Sequence, residues 1–417
     1  MARHVLVLEP DARGHAEEWL QHIVRFVRDY PADVEVTLAV PQSLASRLAA
    51  EAAGHPRIHV HALSASEVER CLHPKLAIGA FARWKVMRRC LAASGAQEAF
   101  FLCIDSLTLP FALGLGVGRG RRASGILFRP SVHYETFGRG LATLGERVRD
   151  WRKRVLYPLM LKNASVGTVH TLDPYFPEYA RERYIAGDKV VALPDPIAET
   201  AGDHGGKPRT PRFPHDRVAF LLFGELTQRK GIVELLEACA RLNPEAAKRI
   251  AVLLAGRIDP PLEGKVRDLI RSVRMARPEL WIEIDGRRLS FGELAAAVDA
   301  CDVVLAPYQR FVGSSGVLIW AARMLRPVIT QRYGLLGRLV RDYGLGMAVE
   351  TTSPDAIAEA MEHAARVGAK TLIDAQHARK FLAEREGHAF AARVLAVTPR
   401  TDAASLTDPR VRRAGSV

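Results

Sequence analysis

One stretch near the middle of the chain combines an apolar run, a glycine and two cations. Val218–Phe223 is apolar throughout and predicts a strand. The residues that follow it read Gly224-Glu225-Leu226-Thr227-Gln228-Arg229-Lys230-Gly231. A glycine lets an anion approach the backbone, and Arg229 and Lys230 precede a predicted helix whose dipole also attracts negative charge. The pattern predicts a phosphate site; the alternative is an ordinary strand-to-helix loop with solvated basic side chains.

A second loop of small residues follows another predicted strand, Val303–Ala306. It reads Phe311-Val312-Gly313-Ser314-Ser315-Gly316-Val317 and runs into a predicted helix over Leu318–Leu325. Its backbone N–H groups could cradle an anion, or Ser314 or Ser315 could simply cap the helix. Two loops of this kind in one domain favour a bound diphosphate.

Three further places could contact a substrate. His133 and His170 each follow a predicted strand, at the sheet edge where open α/β sheets bind ligands. Either histidine could act on a substrate or have a structural role. The loop after the first predicted strand contains Arg13, Gly14 and His15, and it is either a ligand contact or a plain turn.

Other kinds of site find little support. Gly114–Gly120 looks like a dinucleotide fingerprint, but Arg121, Arg122 and another strand follow it in place of a helix. We find no Asp-x-Asp and no His, Cys or carboxylate cluster at metal-ligand spacing, so no metal is predicted. The five cysteines are scattered and form no C-x-x-C pair, which is typical of a reducing compartment.

Elements that would position these residues alternate along nearly the whole chain. Short apolar runs and amphipathic stretches follow one another in two series, which is typical of α/β domains with parallel sheets. The other predicted strands are His4–Leu8, Val34–Val40, Ile58–His61, Phe100–Ile104, Ile126–Phe128, Val166–Val169, Val190–Leu193, Ile250–Ala255, Leu280–Ile284, Pro327–Thr330 and Gly346–Val349. The other predicted helices include Gly14–Asp29 and Gly231–Leu242, and the last helical stretches are Pro354–Arg366 and Thr371–Val397.

The two series predict two domains. We expect an N-terminal domain over residues 1–198, a linker over 199–216 that is rich in proline and glycine, and a C-terminal domain over 217–398. The polar, basic residues 399–417 are predicted to be a disordered tail. In such pairs of domains the ligand is expected in a central cleft, beyond the carboxyl ends of the strands.

Composition and charge exclude several classes of protein. The chain has 417 residues, of which 48% are hydrophobic, and this composition excludes a disordered, collagen-like or coiled-coil protein. The formal net charge is +13, and Lys75–Arg154 alone contains 15 Lys and Arg against 5 Asp and Glu. No signal sequence or membrane-spanning run is evident, so we expect a cytoplasmic protein.

Two basic stretches also contain bulky apolar residues. They are Lys75–Arg89, with Trp84, and Leu144–Leu161, with Trp151. Such surfaces favour peripheral contact with an anionic membrane at its inner face, whereas the alternative is a core-facing stripe behind a solvated basic face. Nucleic acid is not expected as a partner, since no recognition motif accompanies the charge.

Several runs of the second series together resemble a known family. They are Gly224 with Lys230-Gly231, Leu235-Leu236 and Ala238; Leu254-Ala255-Gly256; Ala300 to Pro307; Ser315-Gly316 with Ala321; and Arg326-Pro327-Val328-Ile329. In the first series, Leu193-Pro194-Asp195-Pro196-Ile197 is similar to the exit of that family's first domain. The chain in this way resembles the GT-B glycosyltransferases, and among them glycosyltransferase family 4.

This resemblance implies a fold, an activity and a set of site residues. It implies two Rossmann-like domains and transfer of a sugar from a nucleoside diphosphate sugar to a hydroxyl of a glycan, polysaccharide or lipid-linked acceptor, retaining and without a metal or cofactor. His133 and Lys230 would be catalytic, and the acceptor would meet Arg13, Gly14 and His15. The donor would meet Gly224, Glu225, Arg229, Lys230, Gly256, Arg257, Ser314, Ser315, Gly316, Val317 and Trp320.

The sequence departs from the family pattern at three positions. Glu225 stands where the family usually has arginine, and Val312 and Trp320 stand at its paired glutamates. Glu225 or Glu293 could take over their role. The alternative is a non-catalytic partner subunit that has lost donor turnover, and a further one is another GT-B activity such as an epimerase or a phosphorylase.

Overall fold

The computed structural model describes residues 3–13, 15–30, 33–138, 143–197 and 209–396. Its strands form two sheets. Those of the first sheet are β1 (Arg3–Leu8), β2 (Val34–Pro41), β3 (Ile58–Leu63), β4 (Glu98–Phe101), β5 (Arg122–Leu127), β6 (Val166–Thr171) and β7 (Val190–Ala192). Those of the second are β8 (Val218–Phe223), β9 (Ile250–Ala255), β10 (Trp281–Asp285), β11 (Val303–Ala306), β12 (Val328–Gln331) and β13 (Gly346–Val349).

Helices connect and cover these strands. In the first half they are α1 (Ala16–Asp29), α2 (Gln42–Ala52), α3 (Ala65–Cys71), α4 (Leu76–Ser94), α5 (Thr108–Ala112), α6 (Leu144–Lys162) and α7 (Phe176–Arg183). In the second half they are α8 (Ile232–Arg241), α9 (Pro244–Arg249), α10 (Glu263–Ala276), α11 (Phe291–Ala300), α12 (Gly316–Arg323), α13 (Gly334–Asp342), α14 (Pro354–Val367), α15 (Ala375–Ala383) and α16 (Gly387–Val394). Among the residues described here, no helix has the length and apolar character needed to cross a membrane.

Both sheets have the strand order of a doubly wound fold. The first runs β3-β2-β1-β4-β5-β6-β7 and the second β10-β9-β8-β11-β12-β13. All five pairs of neighbours in the second sheet are parallel, as are the pairs that β1 forms with β2 and β4. The strand order therefore reverses between β1 and β4 and again between β8 and β11. This confirms the α/β class with parallel sheets.

Packing explains why the strands read as continuous apolar runs. On β9, Val252 and Leu254 enter the core under α8, α10 and α14, whereas Leu253 and Ala255 enter the core under α11 and α12. Alternate side chains of one strand thus supply both faces, and each face is covered by helices. Burying a side chain of this size contributes about 1.5–3 kcal/mol.

Contacts divide the chain into two compact units. The first is built from the described residues within 1–126, 158–170 and 387–417, and the second from those within 127–157 and 171–386. In the first unit α16 packs on α1, where the rings of Trp19 and Phe390 lie 5.2 Å apart.

Some predictions about elements need correction or fall outside the description. The helical stretch expected over Thr371–Val397 contains two helices, α15 and α16, and Gly387 begins the second of them. The strand expected at Ile126–Phe128 begins earlier, at Arg122, and Ile104 lies in a 3₁₀ helix after β4. The tail, most of the linker and Gly14 lie outside the described residues.

Candidate functional site

The reversal point of the second sheet brings together the two loops that the sequence singled out. Strand β8 ends at Phe223 and leads into Gly224–Gly231, whereas its neighbour β11 ends at Ala306 and leads into Pro307–Ser315. Since parallel neighbours end at the same edge, both loops emerge side by side at the position where doubly wound sheets bind ligands.

A chain of polar atoms connects the two loops. Lys230 Nζ donates to the Tyr308 hydroxyl at 2.7 Å, and that hydroxyl lies 3.1 Å from Ser315 Oγ. Ser315 Oγ in turn accepts from the backbone N–H of Val317, in the first turn of α12, at 3.4 Å. Tyr308 is buried, so it fixes the ammonium group of the half-buried Lys230 beside this helix start.

The Lys230 ammonium is not neutralised by the protein around it. Among the described residues, no carboxylate lies within ion-pair distance of Nζ, whose other contact is the Phe223 carbonyl oxygen at 3.4 Å. An ammonium held by a phenol and a carbonyl keeps its full charge available for an anion.

Glycines let the backbone segments of this edge approach closely. Gly231 has φ +73°, and a Cβ there would lie 1.9 Å from the carbonyl oxygen of Pro307. Gly256 has φ +142°, and a Cβ there would lie 1.9 Å from the Gly224 carbonyl oxygen. A side chain at either position would force the loops after β8, β9 and β11 apart.

Arg229 belongs to the same surface. Its carbonyl oxygen accepts from the Gln309 N–H at 2.9 Å, and its guanidinium carbon lies 4.9 Å from the centre of the Phe311 ring. The side chain is exposed. A cation on an aromatic face is pre-organised without losing its charge, so Arg229 adds a second positive group at this edge.

The start of α12 supplies donors, and the positions expected for paired carboxylates are apolar. Gly316 and Val317 begin the helix, while Ser314 Oγ lies 3.4 Å from Asp195 Oδ2. Val312 is half-buried, and Trp320 packs against Phe291 with ring centres 4.7 Å apart. Neither Val312 nor Trp320 can accept a hydrogen bond from a sugar hydroxyl through its side chain.

Both carboxylates suggested as replacements form ion pairs, and Glu293 also has a backbone hydrogen bond. Glu293 accepts from the Ser290 N–H at 2.9 Å and forms an ion pair with Arg287 at 3.2 Å. These two contacts hold the pKa of Glu293 below its ordinary value, the backbone hydrogen bond being the larger cause. Glu225 is exposed and pairs with the exposed Arg257 at 3.3 Å, directly beside Gly224. The geometry favours Glu225.

His133 lies in a buried aromatic cluster. It sits in a 3₁₀ helix over Ser131–Phe137, is 4% exposed, and shares a hydrogen bond of 2.9 Å between Nε2 and Asp173 Oδ2. The rings of Phe137 and Phe176 lie 4.9 and 5.4 Å from its own. The same 3₁₀ helix packs against α13, where Tyr134 borders Gly334 at the start of that helix. These surroundings favour a role for His133 in positioning other residues.

The residues expected at the acceptor lie in the first unit. Arg13 is exposed and pairs with Asp11 at 2.9 Å, and the exposed His15 stacks on Trp19 with ring centres 5.9 Å apart. They follow β1, at the reversal point of the first sheet.

Burial raises the pKa of Glu9, the first residue after β1, to about 7, although it accepts from the Asp11 N–H and faces Arg83.

His170 is also buried in the first unit. Its ring lies 5.6 Å from that of Phe100, and burial lowers the pKa of its imidazole to about 4. A neutral histidine packed on a phenyl ring fits the structural alternative.

Sequence reasoning missed two residues of the second unit. Tyr308 carried no signal, because a tyrosine after a strand is common and its partner Lys230 lies 78 positions away. Arg129 was not singled out either, but its Cγ lies 3.8 Å from where a Gly313 side chain would begin. Within the described ranges, no three His, Cys, Asp or Glu side chains are grouped as metal ligands.

Comparison with known proteins gives a family match for part of the chain. Residues 217–366 match the sequence model of the family described as Glycosyl transferases group 1. No curated protein matches the chain by sequence.

Solved structures match nearly the whole chain at low identity. A glycosyltransferase from Rickettsia africae ESF-5 has a TM-score of 0.64 at 14% identity, covering 94% of this chain and 97% of that one. Sucrose-phosphate synthase from Thermosynechococcus elongatus has a TM-score of 0.65 at 18% identity, covering 99% and 100%. Anabaena HepE in complex with UDP and glucose has a TM-score of 0.60 at 16% identity, covering 94% and 98%.

These likenesses confirm the predicted GT-B fold, and the family match covers the β8-to-α14 region that holds both loops. Residues 217–366 therefore match the group 1 glycosyl transferase family, within a chain that has the GT-B fold.

Proposed function

We propose that the chain transfers a sugar from a nucleoside diphosphate sugar to a hydroxyl of a glycan, polysaccharide or glycolipid precursor, retaining and without a metal. The observation that carries the proposal is the Lys230 ammonium, held by Tyr308 beside the start of α12 with no carboxylate to neutralise it among the described residues. The complexes of HepE contain UDP, glucose and UDP-glucose, which supports a nucleotide sugar as the donor class.

In the proposed reaction the leaving group gathers negative charge. The bond between the anomeric carbon and the diphosphate oxygen breaks, and its electrons leave with the diphosphate. The acceptor oxygen bonds to the anomeric carbon and releases its proton to the departing phosphate. Lys230 and Arg229 would neutralise the charge that develops, and the start of α12 would add the positive end of its helix dipole.

Glu225 and His133 have different proposed roles. Glu225, exposed next to Gly224, would accept hydrogen bonds from donor hydroxyls in place of the missing glutamates. His133 would position the donor-side loop through its aromatic cluster, because its 4% exposure leaves little of the ring to meet a substrate. Arg13 and His15 would meet the acceptor.

The test is release of nucleoside diphosphate from UDP-, GDP-, dTDP- and ADP-sugars, with water or free sugars as acceptors. One donor should be consumed by the wild type, and Lys230→Ala should lower that rate about 100-fold or more. Lys248→Ala, at an exposed lysine paired with Glu245, is the matched control and should keep the full rate.

Val312 and Trp320 favour a second candidate, a partner subunit that binds nucleotide but does not turn it over. A protein that binds one nucleotide tightly and releases no diphosphate from any donor would support this candidate and overturn sugar transfer by this chain.

A further inference from the structure

Helix α6 carries an apolar stripe on its solvent side. Val148 and Trp151 are 58% and 65% exposed, and Leu144 and Val155 are exposed as well. The spacing of four, three and four residues places these side chains on one face of the helix. Large apolar side chains that are exposed singly need no explanation, but four in a row along one helix face form a patch.

The opposite face of α6 is already occupied. Asp150 accepts from Ser131 Oγ at 2.7 Å, Lys153 Nζ donates to the same oxygen at 3.2 Å, and Tyr157 is buried. The helix is thus held to the protein by its far side. The stripe contributes nothing to the core and faces outward in the folded chain.

Arginines border the stripe on both sides. At 3.6 residues per turn, Arg147 lies along one border and Arg152 along the other. Both are exposed, and among the residues that the structure describes none accepts a hydrogen bond from either guanidinium group. The cations are therefore available to anions outside the chain.

An apolar stripe with an exposed arginine on each side matches the boundary of an anionic bilayer. Tryptophan and valine side chains enter the edge of the acyl region, while guanidinium groups bind lipid phosphates. We propose that α6 docks on a membrane surface that contains anionic phospholipids, with Trp151 at the acyl boundary and Arg147 and Arg152 on the headgroups.

The structure distinguishes α6 from the other basic helix that the sequence suggested. In α4, Val86 and Met87 are buried, and Trp84 is half-buried and donates through Nε1 to the Gly116 carbonyl oxygen at 3.1 Å. Its exposed apolar residues are Leu76 and Ile78 in the first turn. The membrane contact is therefore assigned to α6.

Sedimentation of the full chain with vesicles tests the proposal. Vesicles of phosphatidylcholine and phosphatidylglycerol should bind the wild type, and vesicles of phosphatidylcholine alone should bind it far more weakly. Arg147→Ala with Arg152→Ala should weaken binding about 30-fold, and Val148→Glu with Trp151→Glu should abolish it. All four side chains are exposed, so thermal midpoints should equal that of the wild type.

Helix α10 supplies matched controls, since it also presents exposed arginines and the exposed Met275. Arg267→Ala with Arg274→Ala, and Met275→Glu, should bind vesicles as the wild type does. Trp151 gives a direct signal, because the other four tryptophans are buried or half-buried. Its emission should shift to the blue on anionic vesicles, and Trp151→Phe should lose the shift but still sediment.

Three outcomes would overturn the proposal. The first is equal loss of binding in the α6 and α10 variants, and the second is no binding to anionic vesicles at all. The third is a dimer of the wild type in solution that Val148→Glu with Trp151→Glu dissociates, without vesicle binding, because a second copy would then cover the stripe. Neither result would bear on sugar transfer, whose test is diphosphate release.

Discussion

At the residue scale, the site depends on a tyrosine that joins two loops. Tyr308 accepts from Lys230 and lies within hydrogen-bond distance of Ser315, so it holds the ammonium group where an anion at the start of α12 would meet it. Sequence reasoning found Lys230 and Ser315 from their glycine-rich surroundings. It could not find Tyr308, because only the fold brings residues 230 and 308 together.

Tyr308→Phe tests this role. Removing the hydroxyl frees the ammonium group to move, and a hydrogen bond to a charged group contributes about 1.5–3 kcal/mol, so nucleotide affinity should fall about tenfold or more. The ring still packs edge-to-face on Phe311, so stability should change little. Titration calorimetry measures the affinity. Tyr343→Phe, which loses a hydroxyl contact to Glu384 at 2.7 Å, is the control and should keep full affinity.

His133→Leu separates a positioning role from a direct chemical one. Asp173 is also buried, and loss of its imidazole partner leaves a carboxylate short of one hydrogen bond. We expect the free energy of unfolding to fall by about 2–3 kcal/mol, measured by urea denaturation. His363→Leu, at a half-buried histidine whose Nδ1 lies 3.2 Å from Arg366, should change it far less. A loss of turnover with unchanged stability would contradict the positioning role.

At the scale of elements, the sequence predicted the second sheet well. Val218–Phe223, Ile250–Ala255, Val303–Ala306 and Gly346–Val349 were predicted with the bounds that the structure has. Strands buried on both faces give continuous apolar runs, which are unambiguous between turn residues. The strand order could not be read from the sequence, because neighbours such as β8 and β11 lie 80 residues apart in the chain.

The last helices show where local pattern fails. The stretch over residues 371–397 was expected to be helical, but it contains two separate helices, α15 and α16, and α16 packs against α1. The sequence around Phe390 does not indicate its contact with Trp19, because the two residues are separated by nearly the whole chain. Periodicity predicts that a segment is helical, but it does not indicate which element the helix packs against.

Gly231 and Gly256, at the carboxyl edge of the second sheet, should not tolerate a side chain. Gly231→Ala adds a strained positive φ and a clash with the Pro307 carbonyl oxygen, so we expect a loss of about 3 kcal/mol or more. Gly256→Ala should behave similarly, because its Cβ would meet Gly224. Thermal unfolding measures both. Gly264→Ala in α10, with open space around it, should cause no loss, and equal midpoints for all three variants would contradict the packing described.

At the scale of the whole molecule, two buried groups of the first unit should give opposing responses of stability to pH. Glu9, with its pKa raised to about 7, stays protonated in the native chain while the unfolded chain ionises, so it makes stability fall as pH rises from about 4.5 to 7. His170, with its pKa lowered to about 4, stays neutral while the unfolded chain is protonated, so it makes stability rise with pH from about 4 to 6.5.

These slopes overlap and cancel between about pH 4.5 and 6.5. Glu9→Gln removes one of them, so its free energy of unfolding should rise by about 2 kcal/mol between about pH 5 and pH 6.5. His170→Phe should show a fall of the same size. Urea denaturation at the two pH values measures both, and slopes of the same sign in the two variants would contradict the assignment.

The match of residues 217–366 to the group 1 glycosyl transferases and the GT-B fold support the proposed activity, and the contact of Lys230 with Tyr308 makes the proposed donor site testable at named atoms. The most direct measurement is thermal unfolding of the wild type and Lys230→Ala with UDP, GDP, dTDP, ADP and CMP. A nucleotide at about 100 times its dissociation constant adds about 2.7 kcal/mol of stability. We predict that one base raises the midpoint of the wild type and of Lys248→Ala but not of Lys230→Ala. No shift with any nucleotide, or an equal shift in Lys230→Ala, would contradict a donor site built around Lys230.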